Sequence, residues 1–354
     1  PEEGFIEVVV GSGGRKGESV GSIDESFLER LHRGDVFVLG GAKYQYLFSR
    51  GMKAYVQADV SKQPTVPSWF SEQLPLSFDV ALDIVRFRTL VKERIDNLSG
   101  CVEFIKNYLY CTEKIAKNMY EYFKEQNDFS EIPDEKTMLI EKFRTDKEYL
   151  LFHTLYGRRV NDVLSRAYGF IAASMRNRDV EIGINDNGFF LAADKLDENK
   201  ILAGLNSKNV ESIIKEAIEK TDVLKRRFRH CASRSLMILR SYKGRTKSVG
   251  KQQVHSSFLL SAVRNISNEF PILREARREV LEDLMDIHNT KEILKYVENG
   301  KIKAKKIVTP LVSPFGLILV TQSHSDFITV EARLQFLRRM HELQMGIIGR
   351  KKKK

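Results

Sequence analysis

A glycine-rich stretch near the start of the chain carries the residue types best suited to phosphate chemistry. Residues 11–19 read Gly-Ser-Gly-Gly-Arg-Lys-Gly-Glu-Ser and follow an apolar, strand-like segment, Phe5–Val10. A nucleotide-binding P-loop ends in Gly-Lys-Ser/Thr because its amides, lysine and hydroxyl contact successive parts of one nucleotide. Here Gly17 and Glu18 follow Lys16, and Lys16 also takes the place of the last glycine of a GxGxxG motif. The stretch therefore predicts a flexible hairpin turn.

The sequence also has no HExxH metalloprotease motif and no DExD/H box that could hold a magnesium ion for ATP hydrolysis. Four acidic residues could share one face of a helix and bind a metal: Glu279, Glu282, Asp283 and Asp286. Nearby arginines favour a solvated, ion-paired face instead: Arg274, Arg277 and Arg278. We therefore predict no catalytic residue, no metal site and no cofactor in this chain, and leave open whether it belongs to an enzyme.

The strongest physical signal is a basic stretch without acidic residues. From Val223 to Asn268 there is no Asp or Glu. A helical wheel places apolar residues from Phe228 to Leu239 on one side and basic residues on the other: Arg226, Arg227, Arg229, His230, Arg234 and Arg240. Arginines on a rigid helix, followed by a basic loop over Tyr242–Gln253, suit phosphate contacts that fix register without reading bases. A solvated basic face with no ligand is the alternative, and the lack of compensating acids favours nucleic acid.

Trp69 is the only tryptophan and lies in an extended, proline-punctuated segment outside any periodic core pattern. A ring in such a segment can stack on a base, whereas burial under the first domain is the alternative. The complete set of predicted nucleic-acid-binding residues is Trp69, Arg158, Arg159, Arg226, Arg227, Arg229, Arg234, Arg240, Lys243, Arg245, Lys247 and Lys251.

Composition agrees with a polyanionic partner. The 58 basic residues outnumber the 47 acidic ones, which gives a formal net charge of +11 and a pI of about 9.4. No window is apolar enough to span a membrane and no signal-peptide pattern precedes the first strand, so we expect a cytoplasmic protein.

The elements that must position these residues predict an α+β fold: a small β-sheet or partial barrel, then a mainly helical module with a β-hairpin and the basic helix. The expected domains are a β-rich, barrel-like domain (1–62), a proline-rich connection (63–78), a helical domain with a hairpin near 180–193 (79–205), and a basic helical region with terminal strands and a helix (206–354). Within these we expect helices over Ser22–Leu31, Tyr149–Met175 and Asp222–Ser241, and edge strands over Ile307–Val320.

Eight short phrases, in order along nearly the whole chain, resemble the region that follows the motor in archaeal large helicase-related (Lhr-type) helicases. They are residues 20–28 (VGSIDESFL), 34–41 (GDVFVLGG), 64–69 (PTVPSW), 74–78 (LPLSF), 157–162 (GRRVND), 228–232 (FRHCA), 274–283 (REARREVLED) and 313–315 (SPF). Each phrase alone is weak, but eight in sequence are specific.

This resemblance implies a superfamily 2 helicase that moves 3′ to 5′ on single-stranded DNA at the expense of ATP and unwinds duplexes, including RNA:DNA hybrids. It implies two RecA-like motor domains and a winged helix ahead of a segment like this one. ATP and Mg would then bind the motor domains, on the same polypeptide or a separate chain. The segment itself would clamp single-stranded DNA or RNA as it leaves the motor, through Trp69 and arginines of Phe228–Ala232.

Two other functions stay open from the sequence. A glycosylase-like DNA repair enzyme would need a carboxylate or amide beside a base pocket, for which Gln252 and Gln253 are candidates. A protein-docking platform would instead present the basic face to an acidic partner.

The stacking hypothesis for Trp69 gives a direct test. Trp69→Ala should weaken binding of single-stranded oligonucleotides by one to two powers of ten, because base stacking contributes about 1–3 kcal/mol. Fluorescence titration of this single tryptophan measures the effect. A buried ring would instead cost about 3–5 kcal/mol of stability on truncation, so emission indifferent to oligonucleotide, together with a lowered melting temperature of the variant, would refute stacking.

Overall fold

A computed structural model describes residues 5–11, 17–24, 27–28, 31–58, 74–239, 241–242, 245–246, 249–323 and 330–351. It has two compact units, each built from two separate stretches of chain. The first unit comprises Pro1–Leu74 and Lys220–Val280, and the second comprises Pro75–Glu219 and Leu281–Lys354. The α+β class is confirmed. The chain enters the second unit at Pro75 and returns to the first at Lys220.

The N-terminal sheet of the first unit has five strands in the order β2-β1-β5-β4-β3. They are β1 (Phe5–Val10), β2 (Glu18–Asp24), β3 (Val36–Leu39), β4 (Ala42–Arg50) and β5 (Lys53–Gln57). Alternate side chains point into one core, where Ile6, Ala54 and Val56 are fully buried. The helix expected from Ser22 is wrong in its first turn, because β2 continues through Asp24 and pairs Ile23 with Ile6.

The second unit opens with three helices, α1 (Phe78–Lys92), α2 (Leu98–Leu109) and α3 (Glu113–Phe129). It continues with β6 (Thr137–Arg144), β7 (Glu148–His153), α4 (Arg158–Arg176), β8 (Glu181–Asn185), β9 (Gly188–Ala193), α5 (Glu198–Ala203) and α6 (Val210–Ile218). The chain then returns to the first unit. There it forms α7 (Asp222–Arg234), β10 (Ser241–Tyr242), β11 (Arg245–Thr246), α8 (Val249–Ile266) and α9 (Pro271–Arg278), and it continues into a π-helical turn (Glu279–Leu284). The last elements are α10 (Ile287–Glu298), β12 (Lys303–Val308), α11 (Pro314–Ser323) and α12 (Val330–Lys351).

The sheet of the second unit corrects two predictions. Its strand order is β12-β6-β7-β9-β8, with only β12 and β6 parallel. The expected helix over Tyr149–Met175 is wrong in its first part, which is strand β7; because β7 is buried from Tyr149 to His153, its sequence shows no alternation. Of the edge strands expected over Ile307–Val320, only the end of β12 is present, because Pro314 begins helix α11. Proline is tolerated at the first position of a helix, since a backbone N–H there would have no partner within the helix.

The predicted hairpin near 180–193 is confirmed as β8 and β9, joined by the two-residue turn Asp186-Asn187. The Asp186 side chain fixes this turn against the rest of the unit: its Oδ1 accepts the Leu76 N–H at 3.0 Å and the Arg158 N–H at 2.9 Å. A glycine is required just before α4, because Gly157 has φ +79° and a Cβ there would lie 2.6 Å from the Leu76 carbonyl oxygen.

A buried carboxylate joins strands β6 and β7 to the start of α11. Glu141 is fully buried. It accepts hydrogen bonds from Thr309 Oγ1 at 2.9 Å and from the N–H and Oγ of Ser313, both at 2.7 Å. The Nε2 atom of His153 lies 2.9 Å from Oε2 of the same carboxyl group. Both buried carboxyl oxygens therefore have hydrogen-bond partners, as burial requires.

We expect Glu141→Ala to lower the free energy of unfolding by about 3–5 kcal/mol, because removal of one member leaves a buried polar cluster uncompensated. Urea unfolding followed by circular dichroism measures the change. The matched control is Glu113→Ala, which removes an exposed carboxylate paired with Lys117 at 2.7 Å and should leave the midpoint near wild type. Equal midpoints for the two variants would contradict a structural role for Glu141.

Candidate nucleic-acid interface

Helix α7 is the rigid element of the basic stretch, and it packs against α8 and α9. Leu224, Phe228 and Ala232 are fully buried at a spacing of four residues, which fixes the face toward its neighbours. Asp222 in the first turn and Arg234 in the last complement the helix dipole. The helix ends earlier than expected, since Leu236 adopts a left-handed conformation with φ 60°.

The basic residues of α7 fall into distinct environments. Arg226 is exposed and, within the described part of the chain, has no ion-pair partner. Lys225 is also exposed and reaches Asp222 at 2.9 Å. The helical-wheel assignment is wrong for Arg229, which is 6% exposed and has interactions of its own within the fold. Arg229 is therefore part of the packed face rather than of a free one.

Glu279 organises two further arginines of α7. This glutamate, the first residue of the π-helical turn, is buried. Its Oε2 lies 3.6 Å from an Arg227 nitrogen, and its Oε1 accepts a hydrogen bond from Arg234. The side chains of Arg227 and Arg234 keep 21% and 39% exposure, so neither is fully enclosed. A buried acid thus holds two partly exposed arginines in place, which reduces the entropy that they lose on meeting a phosphate.

The same contacts set the charge states at the end of α7. Burial acts to lower the pKa of Arg234, but hydrogen bonds to Cys231 and Glu279 outweigh it, so that the pKa is raised. Burial, with the Glu279 carboxylate close by, raises the pKa of the Cys231 thiol to about 11. Cys231 is therefore a neutral thiol at physiological pH, unsuited to nucleophilic or metal-binding chemistry.

The arginine pair at the start of α4 divides in the same way. Arg158 is exposed, whereas Arg159 is held by backbone. Its Nη2 donates to the carbonyl oxygens of Glu282 and Asp283 at 2.7 Å and to that of Met285 at 3.3 Å. These carbonyls lie at the end of the π-helical turn, where helical partners run out. Arg159 therefore caps that turn, and only Arg158 presents a free guanidinium surface.

Several predicted site residues lie outside the described residues: Trp69, Arg240, Lys243 and Lys247. The backbone of Arg245 is in strand β11 and that of Lys251 in helix α8. The loop expected over Tyr242–Gln253 is thus partly regular structure. Gln252, the amide considered for base chemistry, is buried within α8.

Two side chains at the end of α7 were not predicted from the sequence. Leu236 and Met237, which follow the C-cap residue Ser235, are 73% and 44% exposed. Exposed apolar groups beside cations suit contact with bases while the arginines meet phosphates. They are exposed where the chain leaves the helix at Leu236, which has a left-handed conformation. The sequence does not indicate this exit, because glycine or asparagine normally takes that position.

Two alternative chemistries find no support in the geometry. Residues 17–21 (Gly-Glu-Ser-Val-Gly) match the GxSxG spacing of a serine-hydrolase nucleophile, but Ser19 lies inside strand β2, paired with Val9, and not at a strand-to-helix turn. Over the described ranges, no group of three or more His, Cys, Asp or Glu residues is arranged to hold a metal ion. The acidic cluster is dispersed: Glu279 faces the α7 arginines, and Asp286 caps α10 by accepting the Asn289 N–H.

None of the described helices is long and apolar enough to cross a membrane.

Two family models match the chain. The model described as DEAD/H associated matches residues 132–316, and the model described as Large helicase-related protein, winged helix domain, matches residues 1–66. The expectation that the winged helix lies ahead of this chain is therefore wrong, since its family model falls on the segment that contains β1–β5.

Curated relatives are similar over almost the whole chain. The ATP-dependent helicase Lhr-Core of Methanothermobacter thermautotrophicus is 45% identical over 340 residues, which are 94% of this chain and 39% of the relative. Lhr-Core protein 2 of Thermococcus barophilus is 40% identical over 353 residues, 99% of this chain and 40% of the relative. The chain thus spans about two fifths of the length of these relatives. The structure of Mycobacterium smegmatis helicase Lhr bound to ssDNA and AMP-PNP shares the fold, with a TM-score of 0.63 and 20% identity over 73% of this chain and 33% of that one.

The Glu279 contacts predict the reactivity of Cys231. In the wild type, the rate of Cys231 alkylation by iodoacetamide should rise with pH toward the thiol pKa of about 11. Glu279→Gln removes the negative charge that helps to raise this pKa, so the thiolate fraction, and with it the rate at pH 8–9, should increase severalfold. Peptide mass spectrometry follows the reaction, with Cys111 of the same sample as internal reference. An unchanged ratio of Cys231 to Cys111 labelling would show that Glu279 does not act on the thiol.

Proposed function

This chain belongs to the DEAD/H-associated family, and from that premise we propose that it is the strand-holding part of an Lhr-type, ATP-dependent 3′ to 5′ helicase. It binds single-stranded DNA or RNA through phosphate contacts. ATP and Mg act in RecA-like motor domains, on the same polypeptide or a separate chain. The similarity to Lhr-Core helicases supports the helicase assignment, and the structural neighbour, a helicase bound to ssDNA, supports the nucleic-acid partner.

One observation carries the proposal: a rigid helix presents several exposed or partly exposed cations, of which Arg226 has no ion-pair partner among the described residues. Arg226 and Lys225 are exposed on α7, and the partly exposed Arg227 and Arg234 are oriented by Glu279. Phosphate contacts of this kind fix a strand without reading its sequence. Leu236 and Met237 add an apolar surface at the end of the helix.

Salt dependence tests the phosphate contacts on α7. Binding to oligo-dT should weaken as salt rises, with a slope of about −0.7 per phosphate contact on single strands. Lys225→Gln with Arg226→Gln removes two exposed cations without disturbing Glu279, so the slope should become shallower by roughly 1.4. Fluorescence anisotropy at several salt concentrations measures it, with labelled DNA and RNA compared in parallel.

The matched control is Lys114→Gln with Lys117→Gln on α3, which makes the same change of net charge on exposed lysines elsewhere. This variant should keep the wild-type slope. If both double variants flatten the slope equally, only net charge matters and α7 is not the contact. If the wild type binds neither nucleic acid, the strand-holding proposal fails.

A further inference from the structure

The second unit contains a cavity of about 480 Å³ that the strand-binding proposal does not use. Residues of α1, β7, α10 and the segments beside them line it. Its walls include three aromatic rings, those of Phe78, Tyr156 and Tyr296. This volume is within the range of roughly 300–1,000 Å³ in which proteins bind small organic molecules.

The chemistry of the cavity is set by Arg88, a half-buried residue of α1. Its Nη2 donates to Asn187 Oδ1 at 3.1 Å, and its guanidinium carbon lies 4.9 Å from the centre of the Phe315 ring. Burial lowers the pKa of Arg88 to about 10, which still leaves it charged at neutral pH. No carboxylate of the described residues lies within ion-pair distance of it. Partial burial of a cation without a counter-ion is unfavourable, so an anion bound beside Arg88 would be stabilised.

Two other acids of the lining do not fill this role, because they already have partners. Asp134 accepts from Lys92 at 2.7 Å, and Glu292 accepts from Lys295 at 2.6 Å. His153, which also lines the cavity, is bound to the buried Glu141. Arg88 therefore stands out as the one lining group, among the described residues, with burial, charge and no opposite charge.

The exposed residues of the lining limit how much negative charge the ligand can carry. Asp83 and Glu135 are exposed carboxylates, accompanied by the exposed cations Arg86 and Lys301. Lys301 lies over the Tyr296 ring, 4.8 Å from its centre. Because acidic and basic side chains are both present in the exposed part of the lining, a ligand with one anionic group at Arg88 is favoured. Further phosphate groups on the ligand would gain no additional binding energy from these residues.

We propose that this cavity binds a nucleoside monophosphate, with the phosphate on Arg88 and the base against the tyrosine rings. The same chemistry could be offered by a free mononucleotide or by the phosphorylated end of a strand. Aromatic rings supply stacking that tolerates any base, and the arginine supplies a charge-assisted hydrogen bond. No residue of α7 lines the cavity, so this proposal uses other residues than the strand-holding function.

Isothermal titration of the full chain with AMP tests the proposal. Wild type should bind AMP, with adenosine, inorganic phosphate and ATP each at least tenfold weaker. Arg88→Met should weaken AMP binding by roughly ten- to a hundredfold, because a hydrogen bond to a charged group is lost. A 5′-phosphorylated trinucleotide, compared with its unphosphorylated form, distinguishes a strand end from a free nucleotide.

A second variant guards against a folding defect in Arg88→Met. Leu82→Trp places a larger ring at an exposed position of the lining without touching Arg88 and should also abolish AMP binding. Leu98→Trp, at an exposed leucine outside the lining, is the matched control and should bind as wild type does.

Several results would overturn the assignment. These are no binding of AMP or of the phosphorylated trinucleotide, AMP binding that survives Leu82→Trp, or ATP binding as tight as AMP. Because Lys225→Gln with Arg226→Gln leaves the cavity intact, its loss of strand affinity with unchanged AMP binding keeps this proposal separable from the strand-holding one.

Discussion

A charged side chain withdrawn from water must find a partner, and this constraint organises both units of the protein. Glu141 meets it with hydrogen bonds to three residues of the second unit, and Glu279 meets it in the first unit with two arginines of α7. Removal of one partner from such a buried group is strongly destabilising, even where replacement of the whole group by well-packed hydrophobic residues would leave the stability unchanged. Both glutamates therefore fix segments that are distant in sequence: β6 to the start of α11, and α7 to the π-helical turn.

The same constraint sorts the basic residues into those that hold the fold and those that can bind a ligand. The Arg159 side chain donates hydrogen bonds to backbone carbonyls, and Arg229 is buried. Neither residue therefore presents a free positive charge to a ligand. The side chains of Arg226 and Arg158 make no such contacts among the described residues and are exposed. A net charge of +11 thus overstates the charge available to nucleic acid, because some of the basic residues are buried or bound within the fold. Position on a rigid helix, rather than total charge, decides what a polyanion meets.

Sequence patterns predicted those elements whose periodicity is one-sided. The N-terminal β-sheet, in whose strands buried and exposed side chains alternate, and the hairpin near 180–193 are found where the sequence predicts them. Strand β7 was misread because a strand buried on both faces has no alternation to display. Pro314 was misread because proline is compatible both with an edge strand and with the first turn of a helix. Only long-range pairing, which a single sequence does not encode locally, separates these cases.

The candidate site was predictable to a more limited extent, for a related reason. The absence of acids from Val223 to Asn268 identifies the basic stretch, but the acid that orients it, Glu279, comes after that stretch and belongs to a cluster that invites a metal-binding interpretation. Likewise, nothing adjacent to Arg88 in the sequence marks it as a cation without a counter-ion; Asp83 and Glu93 are close along the chain, yet neither pairs with it in the described structure. Charge compensation is a property of the fold, since helices and strands bring together residues more than forty positions apart. A charge pattern in sequence therefore locates where a polyanion can bind, whereas the partners of each charge decide which side chains remain free to bind it.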